Sequence, residues 1–423
     1  MSYPVYSHYK SSGVAWLGEI PTHWEIRRLK FLAEVCNGQD QKAVLDDEGK
    51  YLIFGSGGPF GLATTYLYDQ PTVLLGRKGT IDKPLYIEEP FWTVDTMFYT
   101  RIEACVLPKY FYYLCKTIPF GYVSDLTTLP STTQTGLGGV QFAYVEFSEQ
   151  QQIAAFLDWK TGQIDALIAK KKELMEKLKE KRLAVITQAV TKGLNPAAPL
   201  HDSGIPWLGA VPRHWVVKRL KFVARIGNGS TPNRENSAYW DDGVYPWLNS
   251  SVVNQEMVTS AGQFVTPLAL RECHLPRIQP PAVLVGITGQ GRTRGMASTL
   301  LFEATINQHL AYVKPDPSHA VVGFLRRVFD MAYSHLRSES ENGGSTKGAI
   351  TCEQIAELPV PVPSLDEQVA ITAYVDVTIA KIDRMAANAE SAIARLTEYR
   401  TALITTATTG KIDVRQVTIP VHT

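Results

Sequence analysis

A chain in which one architecture is written twice is constrained to fold as two related bodies, and this sequence is such a chain. The string SGVAWLGEIPTHWEIRRLKF (Ser12 to Phe31) returns as SGIPWLGAVPRHWVVKRLKF (Ser203 to Phe222), at a constant offset of 191 residues. A second string, EQQQIAAFLDWKTGQID (Glu149 to Asp165), returns as EQVAITAYVDVTIAKID (Glu367 to Asp383) at an offset of 218, and both copies run on without a gap to Ile186 and Ile404. Because the offsets differ, the stretch between the two strings has changed length while the strings have not. The repeating unit is therefore a variable globular segment followed by a uniform helix, used twice.

Length agrees with this. Single hydrophobic cores stop growing near ~250 to 300 residues, and the chain has 423, so two or more domains are expected. With 45% hydrophobic and 20% charged residues it has the composition of a folded protein. The net charge of +1 speaks against a strongly basic nucleic-acid binder. No segment forms a basic arm, so contact with DNA would need local patches, or a partner that neutralises part of the phosphate charge. Five scattered cysteines, Cys36, Cys105, Cys115, Cys273 and Cys352, include no Cys-x-x-Cys pair of the kind that holds zinc or a redox couple. The N-terminal stretch lacks the apolar core of a signal peptide, and no apolar run approaches the roughly 18 residues of a membrane helix. The expectation is a cytoplasmic protein with no membrane partner and no metal of its own.

The second repeated string reads as a helix by periodicity. Ile164, Leu167, Lys171, Leu174, Leu178, Lys181 and Val185 step alternately by three and four, and so do Ile382, Met385, Ala389, Ala392, Leu396, Tyr399 and Leu403. This is the seam spacing of a coiled coil, and the simplest way to bury both stripes is to pack them on each other. Ser148 with Gln151, and Ser364 with Glu367, have capping-box spacing, while Gly193 with Pro196, and Gly410, suit helix ends. Each helix would run about 40 residues, roughly 60 Å. The run Lys170 to Lys172 reads as a solvated face. The expected division is residues 1–147 and 196–363 as globular domains, 148–195 and 364–412 as helices, and 413–423 as a tail.

Both globular segments mix short strand-like runs, such as TVLLG (Thr72 to Gly76) and AVLVGI (Ala282 to Ile287), with helical stretches at Pro108 to Lys116 and Ala320 to Leu336. The fold class expected is α+β: two mixed α/β domains alternating with two long helices that pair as an antiparallel coiled coil, with pseudo-two-fold symmetry. The domains share faint landmarks: VLLGRKGT (Val73 to Thr80) parallels VLVGITGQGRTRG (Val283 to Gly295), and TVDTMFY (Thr93 to Tyr99) parallels TINQHLAY (Thr305 to Tyr312). Glycine-flanked loops carrying Arg77, Lys78 and Thr80, or Arg292, Thr293 and Arg294, could bring cations and hydroxyls to phosphates or guanine edges. Ser230, Thr231, Asn233 and Arg234 offer hydrogen-bonding groups in a second turn-rich stretch. Ordinary turns with exposed polar groups are the competing reading for all of these. Arg27, Arg28 and Lys30, mirrored by Lys218, Arg219 and Lys221, could track phosphates or simply be solvated. Trp16, Trp24, Trp207 and Trp215 recur in both copies and read as packing.

No catalytic constellation is legible. There is no GxxxxGK[ST] phosphate loop, no HxxxH or HExxH metal pattern and no acidic nuclease cluster. The string Asn195-Pro196-Ala197 is not the Asn-Pro-Pro-aromatic string of adenine methylases, and FGSGG (Phe54 to Gly58) lacks the βαβ context of a cofactor loop.

Two copies of WLGxxPxHW leading into RLK, each followed by a variable domain and an EQxxIxxxLD-type helix, resemble the specificity subunit of type I restriction-modification systems. The resemblance covers nearly the whole chain. It implies two target-recognition domains that each read one half of a split, asymmetric sequence in double-stranded DNA, with the paired helices as spacer. It also implies two methylation subunits docked on this scaffold and, in the full complex, two restriction subunits. S-adenosylmethionine, ATP and Mg would belong to those partners, and this chain would hold no cofactor and carry no catalysis. The rival readings are the recognition region of a self-sufficient DNA methylase or nuclease, and a coiled-coil scaffold that binds only protein.

Overall fold

The computed structural model describes residues 3–124, 130–289, 291–342 and 348–420. The chain divides into two compact units. Unit 1 comprises Met1–Lys172 with Glu390–Thr423, and unit 2 comprises Glu173–Ala389. The two long helices, Phe147–Lys192 and Leu365–Thr408, each contribute one part to each unit.

Both units are assembled on one plan. Unit 1 has a four-stranded antiparallel sheet in the order Ala33–Asn37, Met97–Ile102, Thr72–Gly76, Leu85–Ile87. Its counterpart in unit 2 has five strands, ordered Ala224–Asn228, Leu310–Pro315, Ala282–Gly286, Ala297–Leu300, Met257–Val258. Each unit adds a three-stranded sheet: Gly58–Ala63, Tyr51–Gly55, Phe91–Thr93 in unit 1, and Gln263–Val265, Tyr245–Leu248, Thr305–Ile306 in unit 2. The strands TVLLG and AVLVG are buried along their whole length. That is why they read as continuous apolar runs and not as alternating ones. The helical stretches are Pro108–Cys115 and Val322–Asn342.

The paired tryptophans pack. Trp24 and Trp215 are buried, Trp16 meets Phe142 edge-on, and Trp207 stacks on His335 at 4.7 Å. The strand that follows each His-Trp pair, Glu25–Arg28 or Val216–Arg219, is closed by a strand that leads into a long helix, Gln141–Tyr144 or Pro359–Val362. Several of the basic residues here are engaged as well. Arg27 pairs with Glu25 and covers the Tyr144 ring at 3.8 Å, while Arg219 and Lys221 share Glu357.

In each unit the long helices run antiparallel. Asp165 meets Arg400 at 2.9 Å in unit 1, and the repeat-equivalent pair Arg182 and Asp383 stands at 3.6 Å in unit 2. The partner position thus recedes along the second helix as the first advances. The seam differs from the expected one. Ile164, Leu178, Ile382 and Leu403 are buried, Val185 and Leu396 are half-buried, but Leu167, Leu174, Met385 and Tyr399 are exposed. The inward positions are Ile168, Met175, Ala386 and Ile393, so the alternation runs four-three where three-four was expected. Leu167 and Ile168 are both apolar, and so are Leu174 and Met175. Periodicity alone therefore fits either phase, and packing against the partner helix selects one.

The helix starts also differ. Ser364 accepts the Glu367 N–H at 3.3 Å, as a cap should. Ser148, by contrast, lies inside the first turn of a helix that begins at Phe147. The repeat equivalent of Ser364 is Glu146, whose carbonyl takes the Gln150 N–H at 3.0 Å.

Candidate nucleic-acid interface

The landmarks shared by the two variable segments converge on one cluster of loops in each unit. In unit 1 the backbone N–H groups of Arg77 and Lys78 both donate to the Thr96 carbonyl, Gly79 N–H donates to Pro130, and Gln39 N–H donates to Thr93. Loops 38–40, 76–80, 93–96 and 130–133 are thereby tied together. In unit 2 Ile350 N–H donates to Ile287, Ile287 N–H to His309, and Asn307 N–H to Leu248. This joins the end of the strand Tyr245–Leu248 to loops 286–288, 307–309 and 348–350. Lys78 bridges to Ser131 in unit 1 as Thr288 bridges to Ala349 in unit 2.

Glycine makes this closeness possible. A Cβ on Gly38 would fall 2.0 Å from the Val94 carbonyl oxygen, and one on the equivalent Gly229 would fall 1.8 Å from that of Ile306. Only a residue without a side chain fits at either position.

On this shared framework the two units present different chemistry. Unit 1 shows Lys78 exposed, with Arg77 and Thr80 half-exposed; Arg77 bonds the Asp95 carbonyl at 3.2 Å and lies over the Phe98 ring. Unit 2 shows a network of hydroxyl, amide and imidazole groups. Thr231 donates to Gln308 at 2.6 Å, the Thr288 hydroxyl meets His309 Nδ1 at 2.7 Å, and Gln308 lies 3.3 Å from His309 Nε2. Arg234 sits over the rings of Trp240 and Trp247 at 4.0 and 4.9 Å and reaches Gln263. Ser230 is half-exposed and its carbonyl takes the Trp247 indole N–H. Asn233 is spent on its own turn, its side chain accepting from Glu235 N–H and its carbonyl from Trp240. Gln308 and His309, which stand in the landmark TINQHLAY, were not singled out from sequence. The signal available was that they replace residues of TVDTMFY on an otherwise shared framework.

One expected contact is corrected. Arg294 is only 4% exposed and pairs with Glu341 at 2.6 Å. Loop 287–295 is longer than its counterpart, and its second half folds back onto the helix Val322–Asn342. Arg337 there holds the carbonyls of Gly291 and Arg294, and Tyr333 holds that of Arg292. Arg294 thus pins the loop to the helix. Arg292 remains exposed and Thr293 half-exposed.

Each domain is anchored to its helix by the same three groups. The carboxylate of Glu149 receives the Trp24 indole N–H at 3.2 Å, the Tyr6 hydroxyl at 2.6 Å and His23 at 3.0 Å. Glu367 likewise receives Trp215 at 3.0 Å and His214 at 3.1 Å. The next residue, Gln150 or Gln368, takes the N–H of Leu107 or Val321 and donates to the carbonyls of Cys105 and Val145, or of His319 and Pro363. Third, Asp158 receives Tyr113, and Asp376 receives Arg327. Burial and the bonds to Glu149 and Asp158 push the phenols of Tyr6 and Tyr113 well above their ordinary range, so both remain donors. The repeated His-Trp and Glu-Gln pairs are therefore two sides of one joint.

Comparison with known proteins gives a consistent picture. A family model described as type I restriction modification DNA specificity domain matches residues 21–179 and again 212–393. The type I restriction enzyme MjaIX specificity subunit of Methanocaldococcus jannaschii is 21% identical over 327 residues, spanning 70% of this chain and 73% of the relative. The EcoDI specificity subunit of Escherichia coli is 22% identical over 431 residues, spanning 94% and 90%. A solved chain from a study of complex assembly and conformational transition of the type I R-M system superposes with a TM-score of 0.68 at 16% identity, covering 92% of this chain and 98% of that one. That last likeness speaks to the fold.

Proposed function

Because the chain belongs to the family of type I restriction-modification DNA specificity domains, matched twice along its length, we propose that it is the DNA-recognition subunit of such a system, each unit reading one half of a split target. The observation that carries this is the loop cluster. One framework, held by equivalent glycines and equivalent backbone bonds, presents Arg77 and Lys78 in one unit and Thr231, Thr288, Gln308 and His309 in the other. Cationic and amide or hydroxyl groups select different base edges, so the two half-sites differ and the target is asymmetric. Individual contacts divide by chemistry: Arg77, Lys78 and Arg292 suit phosphates or guanine, while Gln308 suits adenine or a bridging water.

The relatives named above are specificity subunits of restriction enzymes, and this chain is read in the same role, without catalysis of its own. The helix pair acts as spacer and docking platform for two methylation subunits and, in the complete complex, two restriction subunits. S-adenosylmethionine serves methyl transfer to a flipped adenine on the former, and ATP with Mg serves the latter. The chain works in the cytoplasm, where the DNA is. Among the described residues no helix is long and apolar enough to cross a membrane.

Band-shift titrations with the methylation subunits present test the reading. A duplex bearing the methylated motif should be bound at least ~10³-fold more tightly than a scrambled one. The chain alone should neither methylate nor cleave. Turnover by the isolated chain, or equal affinity for both duplexes, would overturn the proposal.

A further inference from the structure

At one position the two units differ in a way that the shared fold does not require. Glu34 and Arg101 face each other across neighbouring strands of unit 1 and form an ion pair at 3.5 Å. Their repeat equivalents in unit 2 are Arg225 and Lys314, again direct cross-strand partners. Directly opposed residues have Cβ atoms about 5 Å apart, and like charges there destabilise a sheet. Arg225 and Lys314 do not stand alone. With Arg277, Gln279 and Tyr312 they line one open pocket of about 340 Å³.

The cations are only partly offset. Lys314 Nζ donates to the carbonyls of Pro280 and Pro281 at 3.1 and 3.2 Å. Arg277 lies 5.7 Å from the centroid of the Tyr245 ring, and its charge is felt by Glu303, whose carboxylate also takes the Tyr245 hydroxyl at 2.7 Å. The Arg225 side chain forms no ion pair or hydrogen bond among the described residues and is exposed. Glu303 thus offsets Arg277, and the carbonyls fix the Lys314 ammonium without neutralising it. The arrangement costs sheet stability unless an anion shares the pocket. Two guanidinium forks and an ammonium match the oxygens of a phosphate.

We propose that Arg225, Arg277 and Lys314 form a phosphate clamp in unit 2 that grips the backbone of the bound duplex, with no counterpart in unit 1. This rests on the DNA-binding reading above and adds to it an asymmetry of grip. One unit carries a built-in anion site on the strands Ala224–Asn228 and Leu310–Pro315, toward their ends away from the loop cluster, and the other closes the same position with its own ion pair. A backbone contact of this kind positions the protein without reading sequence.

The test uses the full chain with its methylation subunits and the variants Arg225→Glu and Arg277→Ala. R225E recreates in unit 2 the carboxylate-to-cation pairing of Glu34 and Arg101, so its melting temperature should be no lower than that of the parent. DNA affinity should fall about tenfold for target and scrambled duplexes alike. The slope of log K against log salt should shrink by about one. R277A should weaken binding in the same sequence-independent way. Inorganic phosphate titrated at constant ionic strength separates the sources of phosphate: binding of free phosphate with an unchanged salt slope for DNA overturns the clamp. So does undiminished DNA affinity in both variants while the parent binds DNA normally. Failure of the parent to bind any duplex would instead defeat the DNA-binding reading itself, and the clamp with it.

Discussion

The indole N–H of Trp24 points at the carboxylate of Glu149, 125 residues later in the chain, at 3.2 Å, and Trp215 addresses Glu367 in the same way at 3.0 Å. Each pair links the start of a variable domain to the first turn of the helix that follows it. The carboxylates differ in surroundings. Glu149 is buried with three donors, while Glu367 is partly open to solvent with two. Removing a buried acceptor strands its donors, whereas water can replace a partly exposed one. Glu149→Ala should therefore cost about 3 kcal/mol and Glu367→Ala about 1 kcal/mol, read from chemical denaturation of the two variants. Equal losses would show that burial does not set the strength of the joint.

The helix seam supplies a second test. Ile168 and Met175 turn inward, while Leu167 is 48% and Leu174 37% exposed. Ile168→Ala and Met175→Ala should each cost about 1 to 2 kcal/mol, and Leu167→Ala and Leu174→Ala under about 0.5 kcal/mol in the isolated chain. The reverse ranking would restore the three-four phase.

Substitution of two loop residues, Arg294 and Gln308, should separate two roles. Arg294→Ala removes the partner of Glu341 and one of the contacts that hold the loop to its helix, leaving those of Tyr333 and Arg337 in place. Its effect should appear as a loss of about 2 kcal/mol of stability with the methylated motif unchanged. Gln308→Ala leaves the fold intact and should relax the motif at one base, at a cost of about 1 to 3 kcal/mol of discrimination. Sequencing of methylated sites for both variants reads the difference.

A pH dependence follows from the tail. Asp413 binds Arg415 through its side chain at 2.7 and 2.9 Å, and its N–H donates to the Pro4 carbonyl at 2.7 Å, so this segment joins the beginning of the chain. The Arg415 hydrogen bonds hold the Asp413 carboxyl below its usual range. A carboxyl whose folded pKa is depressed stabilises the fold fully above its unfolded pKa of about 3.9 and loses that contribution as pH falls through the folded value. Asp413→Asn should therefore be less stable than the parent at neutral pH, with the gap narrowing as pH falls below about 3.9, as measured by denaturant titration across that range.

The sequence made the larger features legible because they rest on repetition and period. The duplicated strings and the two long helices lie where repetition and period place them, to within a few residues at the helix ends. The phase of the seam was not legible, since adjacent apolar residues at 167 and 168, and at 174 and 175, satisfy both alternations. The fate of Arg294 was not legible either, because its partner Glu341 lies 47 residues away on another element. His23 and Glu149 could have been paired from the start. Two polar groups that recur together in both copies, each beside a buried residue, call for each other as partners.

The most direct test of two units reading two half-sites is to map methylated adenines genome-wide with this chain, then with residues 200–363 replaced by those of another family member. A bipartite motif is expected, in which one half changes and the other half is retained. A motif that changes in both halves, or a palindromic motif in the parent, would contradict it.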